Sequence, residues 1–250
     1  MVKKLIPILL LFAFTQCHTP KPYSKAELGG IRINKDSLKI SDEKTHALIQ
    51  TYKIKLDSLM GEVLCFNEQD LSKQLPEGSL GNMLCDELMI YAKDKVEKKI
   101  DFCLFNHGGI RIGSLSKGNI TVGKIYELAP FDNYLEVVEL DGKSCKKLFD
   151  LLAQNGGTPC SKELRMKIQN NQASDIFINQ QSFDENRNYL ILTNDYVAAG
   201  GDKTEPMKNA LNRHKINVFV RDAMIEHLRI NGKRNEALKA GVDGRMEIIK

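Results

Sequence analysis

Residues 102–105 (Phe-Cys-Leu-Phe) and 189–193 (Tyr-Leu-Ile-Leu-Thr) are short, nearly all-apolar runs that end abruptly in loops of asparagine and glycine. A strand with one face in water alternates apolar and polar residues. A run that is apolar at successive positions is expected of a strand buried on both faces. The elements around these two runs are helices and hairpins in irregular alternation. Residues 41–60 open with Ser41, Asp42 and Glu43, a cap followed by an acid in the first turn. Leu48, Tyr52, Leu56 and Leu59 then recur at helical spacing, and Gly61 stops the helix.

Residues 63–66 form a short strand. Ser79 is expected to cap a second helix that presents Met83, Leu84, Leu88, Tyr91 and Ala92. Residues 134–140 read as a strand, and Asp141 and Gly142 open a helix carrying Cys145, Leu148, Phe149 and Leu152, which ends at Gly156 and Gly157. Residues 163–169 and 174–179 pair around an Asn170-Asn171 turn. A strand at 216–220, a helix near 220–230 and a strand at 244–249 close the chain. The fold class is therefore α+β, mixed sheets flanked by helices, and not a clean βαβ winding.

The N-terminus reads as an export signal. Lys3 and Lys4 precede about ten apolar residues, whereas a helix needs about 20 to span a bilayer. The run ends at Thr15-Gln16-Cys17, so residues 1–16 are expected to be a lipoprotein signal and Cys17 its lipid-attachment site, with simple cleavage and release as the alternative. Residues 17–34 then form a polar tether and residues 35–250 one globular domain. The expected location is the cell envelope, lipid-anchored and facing the periplasm, possibly at the outer membrane. Five further cysteines (Cys65, Cys85, Cys103, Cys145, Cys160) are an odd number with no Cys-x-x-Cys pair, and read as buried small hydrophobes.

The formal charge is +4, and without Lys3 and Lys4 it is 34 minus 32, or +2. That excess is too small and too evenly spread for a nucleic-acid partner. The five histidines have no partners at metal-ligand spacing, and no nucleophile-elbow or P-loop motif is present. The chain alone shows no catalytic centre and no cofactor.

Three loops instead have binding chemistry. Asn106-His107-Gly108-Gly109-Ile110-Arg111 offers an amide, close backbone approach and a guanidinium, the group best shaped to hold phosphate bidentately. Phe131 follows the turn at Pro130, with Asn133 two residues on. Asn194-Asp195-Tyr196 leads through Ala199-Gly200-Gly201 to Asp202. Two rings can sandwich a base, and a carboxylate can accept hydrogen bonds from both hydroxyls of a ribose. Core packing is the alternative for either ring taken singly.

These loops resemble the C-terminal domain of the 5'-nucleotidase family, which includes UDP-sugar hydrolases and 2',3'-cyclic phosphodiesterases. The resemblance covers most of residues 35–250. It rests on Leu80-Gly81-Asn82 with Asp86, the loop from Asn106 to Arg111, the block from Gly118 to Tyr126, Pro130 to Asn133, Leu140-Asp141-Gly142, and Asn194 to Asp202. It implies that Phe131 and Tyr196 stack on the two faces of a base and that Asp202 holds the ribose. Asn106 and Arg111 would contact base and phosphate, and the backbone at Gly108, Gly109, Gly200 and Gly201 would shape the pocket.

Several departures accompany the resemblance. The family's N-terminal metallophosphatase domain is expected to be absent, so any divalent metal belongs to a partner. Gln74 stands near the place of a family arginine, with Lys73 beside it as a point charge. His107 replaces a small residue and is assigned to the rim of the pocket. Tyr196 replaces the commoner phenylalanine and keeps the ring, a change expected to be harmless. Three functions are consistent with this pattern. One is the nucleotide-binding half of a phosphohydrolase that presents substrate to a separately encoded metallophosphatase chain. The others are a stand-alone nucleoside- or nucleotide-binding lipoprotein without hydrolase activity and a structural domain that has lost its pocket.

Overall fold

The structure, a computed structural model, describes Gly30 and residues 42–249. Apart from Gly30, the expected signal, the tether and Cys17 lie outside the described residues. By its internal contacts the chain falls into two units, Met1–Ile49 and Gln50–Lys250, and the sheets and sites described below all belong to the second.

The first described helix, α1 (Glu43–Met60), starts where expected. Asp42 Oδ1 accepts the amide protons of Lys44 and Thr45 at 3.1 and 3.3 Å. Its apolar residues Tyr52, Leu56 and Leu59 are exposed. Among the described residues no helix is long and apolar enough to cross a membrane.

The central sheet has the order β11-β6-β10-β3, with β3 at Phe102–Cys103, β6 at Tyr134–Asp141, β10 at Asn188–Asn194 and β11 at Asn212–Phe219. β10 runs parallel to β3 and antiparallel to β6. Strands β3, β6 and β10 are buried on both faces, whereas the edge strand β11 is largely exposed, and successive residues of the buried strands feed two separate cores. Cys103, Phe105, Leu135, Val137 and Leu192 enter one core; Phe102, Leu104, Val138, Leu140 and Ile191 enter the other. The period-2 geometry of a strand divides them this way. Helices α2 (Ser79–Lys93) and α6 (Val220–Lys233) cover the first face with Leu80, Met83, Leu84, Met224 and Leu228.

The second face is covered by α4 (Gly142–Gln154) and by a second sheet of order β12-β7-β8-β9, with β7 at Leu164–Gln169, β8 at Gln172–Ile178, β9 at Gln181–Ser182 and β12 at Met246–Ile249. Asp141 Oδ1 caps α4 by accepting from the Ser144 amide at 3.0 Å. α3 (Val122–Leu128) and two two-stranded sheets, β1 (Val63–Asn67) with β5 (Gly118–Thr121) and β2 (Leu71–Ser72) with β4 (Ser114–Leu115), complete the frame around the first core.

Some expectations are corrected. Ser79 does not cap α2: Gly78 is the N-cap residue, and Ser79 Oγ instead accepts from the Ser72 amide at 2.9 Å, tying the helix to β2. The strand expected at 216–220 begins at Asn212 and has given way to helix by Val220. His227 is buried and pairs with Glu87 at 2.7 Å, a partner across two helices that spacing along the chain did not indicate. The five cysteines are free and buried as expected, and burial pushes the thiols of Cys65, Cys85, Cys145 and Cys160 up.

The C-terminal strand β12 (Met246–Ile249) is held against the first half of the chain by charge. Glu77 accepts the amide protons of Asp243, Gly244 and Arg245 at 2.9, 2.9 and 3.1 Å and the side-chain amide of Asn82 at 2.6 Å. Arg245, only 3% exposed, donates to both oxygens of Asp86 at 2.9 and 2.7 Å and to the Cys160 carbonyl at 2.8 Å. Removing one partner of such a buried pair leaves the other charge uncompensated, so Arg245→Ala should lower stability by about 3–5 kcal/mol. Urea unfolding followed by circular dichroism checks this; a midpoint within error of the wild type would show that the network does not hold the C-terminus.

Candidate functional site

The pairing directions of the central sheet decide where the loops meet. Because β3 and β10 are parallel and β6 is antiparallel to β10, the C-terminal ends of the first two and the N-terminal end of β6 share one edge. Leu192 lies opposite Cys103, and Asn194 opposite Leu135. Asn106, Asn194 and the Phe131–Asn133 loop therefore arrive together, although they are distant in sequence.

A chain of hydrogen bonds fixes them. Asn194, the last residue of β10, accepts the Val197 amide proton at 2.8 Å and so caps the short helix α5 (Asp195–Ala198) that carries Tyr196. Its side-chain amide donates to Asn106 Oδ1 at 3.0 Å. Asn106 in turn donates to Asp202 Oδ2 at 2.7 Å, and the Tyr196 hydroxyl donates to Asp202 Oδ1 at 3.0 Å. Asn133 donates to Asp195 at 2.8 Å, tying the Phe131 loop to the tyrosine's helix. Asn133 is thus a strut within the protein.

The glycines divide by what faces them. A Cβ on Gly201 would lie 2.4 Å from Tyr196 Cε1, so the ring lies against bare backbone there. A Cβ on Gly109 would lie 2.7 Å from Asn106 Oδ1, and one on Gly108 would lie 3.1 Å from Asp202 Oδ2. Gly200 takes a left-handed φ of 86°, and a Cβ there would meet the Lys208 side chain, so glycine is what the turn requires. Asp202 itself adopts a left-handed φ of 49°.

Phe131 and Tyr196 are 48% and 46% exposed, and among the described residues neither ring packs on another aromatic ring. The Arg111 guanidinium lies over the Phe131 ring at 5.6 Å. Core packing is therefore not the role of either ring.

Beside the rings three basic groups gather. Lys73 donates to the Ile110 carbonyl at 2.7 Å and Arg111 to the Gly108 carbonyl at 3.3 Å. Burial and then the Arg111 charge hold the Lys73 ammonium below the usual lysine range. Burial and then the Lys73 charge hold the His107 imidazole below the usual histidine value. Among the described residues no carboxylate forms an ion pair with any of the three. His107 is half-buried on the wall of a cavity of about 130 Å³, which Asn106, Gly108, Asn155, Thr158 and Asp202 also line.

Asn155 and Thr158 were not foreseen. Asn155 accepts from Lys203 at 3.1 Å and Thr158 donates to the Phe105 carbonyl at 2.6 Å. The two glycines between them, Gly156 and Gly157, are the signal that a tight turn brings this segment to the sheet edge. The hydroxyl of Tyr196 makes a contact that phenylalanine would lack, its bond to Asp202 Oδ1. Arranged in this way, the site offers two exposed ring faces, an amide, a carboxylate with one donor on each oxygen, and the Lys73 and Arg111 cations beside His107.

Comparison with known proteins places this geometry. The chain is 25% identical to the trifunctional nucleotide phosphoesterase protein YfkN of Bacillus subtilis over 226 residues, covering 80% of this chain and 15% of that protein. It is 25% identical to the NAD 5'-nucleotidase of Haemophilus influenzae over 221 residues, covering 75% of this chain and 36% of that one. The crystal structure of a 5'-nucleotidase precursor from Thermus thermophilus superposes with a TM-score of 0.69 at 24% identity, over 84% of this chain and 44% of that one. The chain thus spans less than half the length of these relatives. Residues 61–209, more than half of the chain, match the family model of the 5'-nucleotidase C-terminal domain, and the chain belongs to that family.

Proposed function

We propose that this domain is the nucleotide-binding half of a 5'-nucleotidase-type phosphohydrolase and presents its substrate to a metallophosphatase carried on a separate chain. The observation that carries the proposal is the convergence, on one sheet edge, of two exposed rings and a hydrogen-bonded carboxylate with two cations, Lys73 and Arg111, that have no carboxylate partner among the described residues. Phe131 and Tyr196 take the faces of the base, Asp202 the ribose hydroxyls and Asn106 the base edge. Arg111 takes the phosphate as a bidentate fork. Lys73 adds a point charge beside it, where Gln74 stands near the place of a family arginine.

The described residues contain no group of three His, Cys, Asp or Glu side chains arranged for a metal ion, so a catalytic divalent metal does not fit them and no step through one is assigned to this chain. The hydrolytic chemistry belongs to the partner in this reading. Attachment through Cys17 would hold the complex at the membrane facing the periplasm. A second reading, capture of nucleosides without hydrolysis, is favoured by the completeness of the hydrogen-bond set within one chain.

Native protein extracted in mild detergent and affinity-purified separates the two readings. Chelator-sensitive phosphate release from AMP with a co-purifying metallophosphatase supports the split enzyme; a pure, inactive chain that still binds nucleoside supports the second reading.

Two further outcomes are expected. Phe131→Ala should weaken adenosine and AMP alike by about tenfold or more in calorimetry, since one stacking face is worth about 1–3 kcal/mol. Unchanged affinity would remove the ring from the site. Lys73→Ala should weaken AMP and spare adenosine. Because it removes the charge that disfavours imidazolium, it should also raise the pH at which His107 titrates by NMR. A midpoint that stays put would separate Lys73 from His107 and from the phosphate end.

A further inference from the structure

The hydroxyl of Tyr196 holds a carboxylate that the protein also grips from the other side. Tyr196 donates to Asp202 Oδ1 at 3.0 Å and Asn106 donates to Oδ2 at 2.7 Å, one donor to each oxygen. A carboxylate offers about four acceptor directions, so about one remains on each oxygen. Two acceptors fixed side by side match two neighbouring hydroxyls.

The backbone alone does not supply this orientation. Asp202 is exposed, and both it and Lys203 adopt left-handed conformations, with φ of 49° and 63°, outside any sheet. Thr204 anchors the turn by donating its hydroxyl to the carbonyls of Val197 and Gly201 at 2.9 and 2.6 Å, but it does not touch the carboxylate. Tyr196, by contrast, is itself fixed: its helix is capped by Asn194 and its ring lies against Gly201.

We propose that the Tyr196 hydroxyl is a positioning residue that, together with Asn106, sets the plane of Asp202 so that both oxygens accept from a vicinal diol, making the site selective for ribose over deoxyribose. The proposal rests on the base-and-ribose reading of the site. A phenylalanine at 196 would keep the ring face and leave one oxygen of Asp202 unheld.

The test compares adenosine with 2',3'-dideoxyadenosine, which keeps the base and lacks the diol, by calorimetry on the full chain. Wild-type protein is expected to prefer adenosine. In Tyr196→Phe the dideoxy compound should bind within about twofold of wild type, while adenosine affinity falls roughly five- to tenfold, the scale of one lost hydrogen bond. In an Asp202→Asn background the same change should leave the ratio of the two affinities unmoved, because the carboxylate it positions is gone. Equal weakening of both ligands by Tyr196→Phe would assign the hydroxyl to general packing and overturn the proposal, as would no change in either. If wild-type protein binds both ligands equally, the diol has no site at Asp202 while the base reading stands. If it binds neither, the base-and-ribose reading itself falls, and this proposal with it.

Discussion

Burial of β3, β6 and β10 on both faces is the constraint from which the rest follows. Residues 102–105 alternate between two cores, as do Val137 and Val138 of β6 and Ile191 and Leu192 of β10. The ladder satisfies the backbone of these strands, and on their buried faces a polar side chain has no water to turn to. Groups with specific chemistry are therefore displaced to the strand ends. The parallel pairing of β3 with β10 then brings two C-terminal ends together, the same end at which open sheets with parallel strands receive ligands. Asn194 closes the ladder of β10, Asn106 lies three residues beyond the end of β3, and the two side chains bond to each other.

Charge is handled in two contrasting ways. Where it is structural it is fully partnered: Arg245 has Asp86, Asp243 and a carbonyl, and Glu77 accepts from three backbone amides and a side-chain amide. Arg213 spans both oxygens of buried Glu136 in the same manner. At the sheet edge the Arg111 charge instead holds the Lys73 ammonium down and the Lys73 charge holds His107 down, Lys73 and Arg111 donate to backbone carbonyls, and no carboxylate among the described residues pairs with any of the three. Like charges held close without a counter-ion cost free energy that an incoming anion would relieve. That difference, more than the presence of basic residues, is what the proposed anion site at this edge rests on.

How much of this was legible depends on the range of the interaction. The strands at 102–105 and 189–193 and the capped helix after Asp141 are local signals, and the structure contains them. Ser79 misleads because its hydroxyl serves a strand seven residues back and not its own helix. The two- and four-residue strands at Leu71–Ser72 and Gly118–Thr121 are too short for any period to show. Asn133 looks like a ligand residue by its motif, and only the fold reveals Asp195, 62 residues on, as its partner. α1 shows the converse case. Its spacing correctly gives a helix, yet Tyr52, Leu56 and Leu59 remain exposed, because periodicity specifies a face and not what covers it.

Local strain bears on how the edge works. Asp202 and Lys203 in succession occupy left-handed backbone that costs on the order of 1–3 kcal/mol per residue, and such outliers persist only where their surroundings over-determine them. Here the surroundings are Thr204 bonding back to Val197 and Gly201, and the side-chain bonds from Asn106 and Tyr196. All of these come from within the chain, so the carboxylate is oriented before any ligand or partner arrives. Preorganisation of this kind reduces the ordering cost of binding. A carboxylate oriented by the chain's own donors is what the proposed substrate-presenting half would require, since no partner is needed to set it.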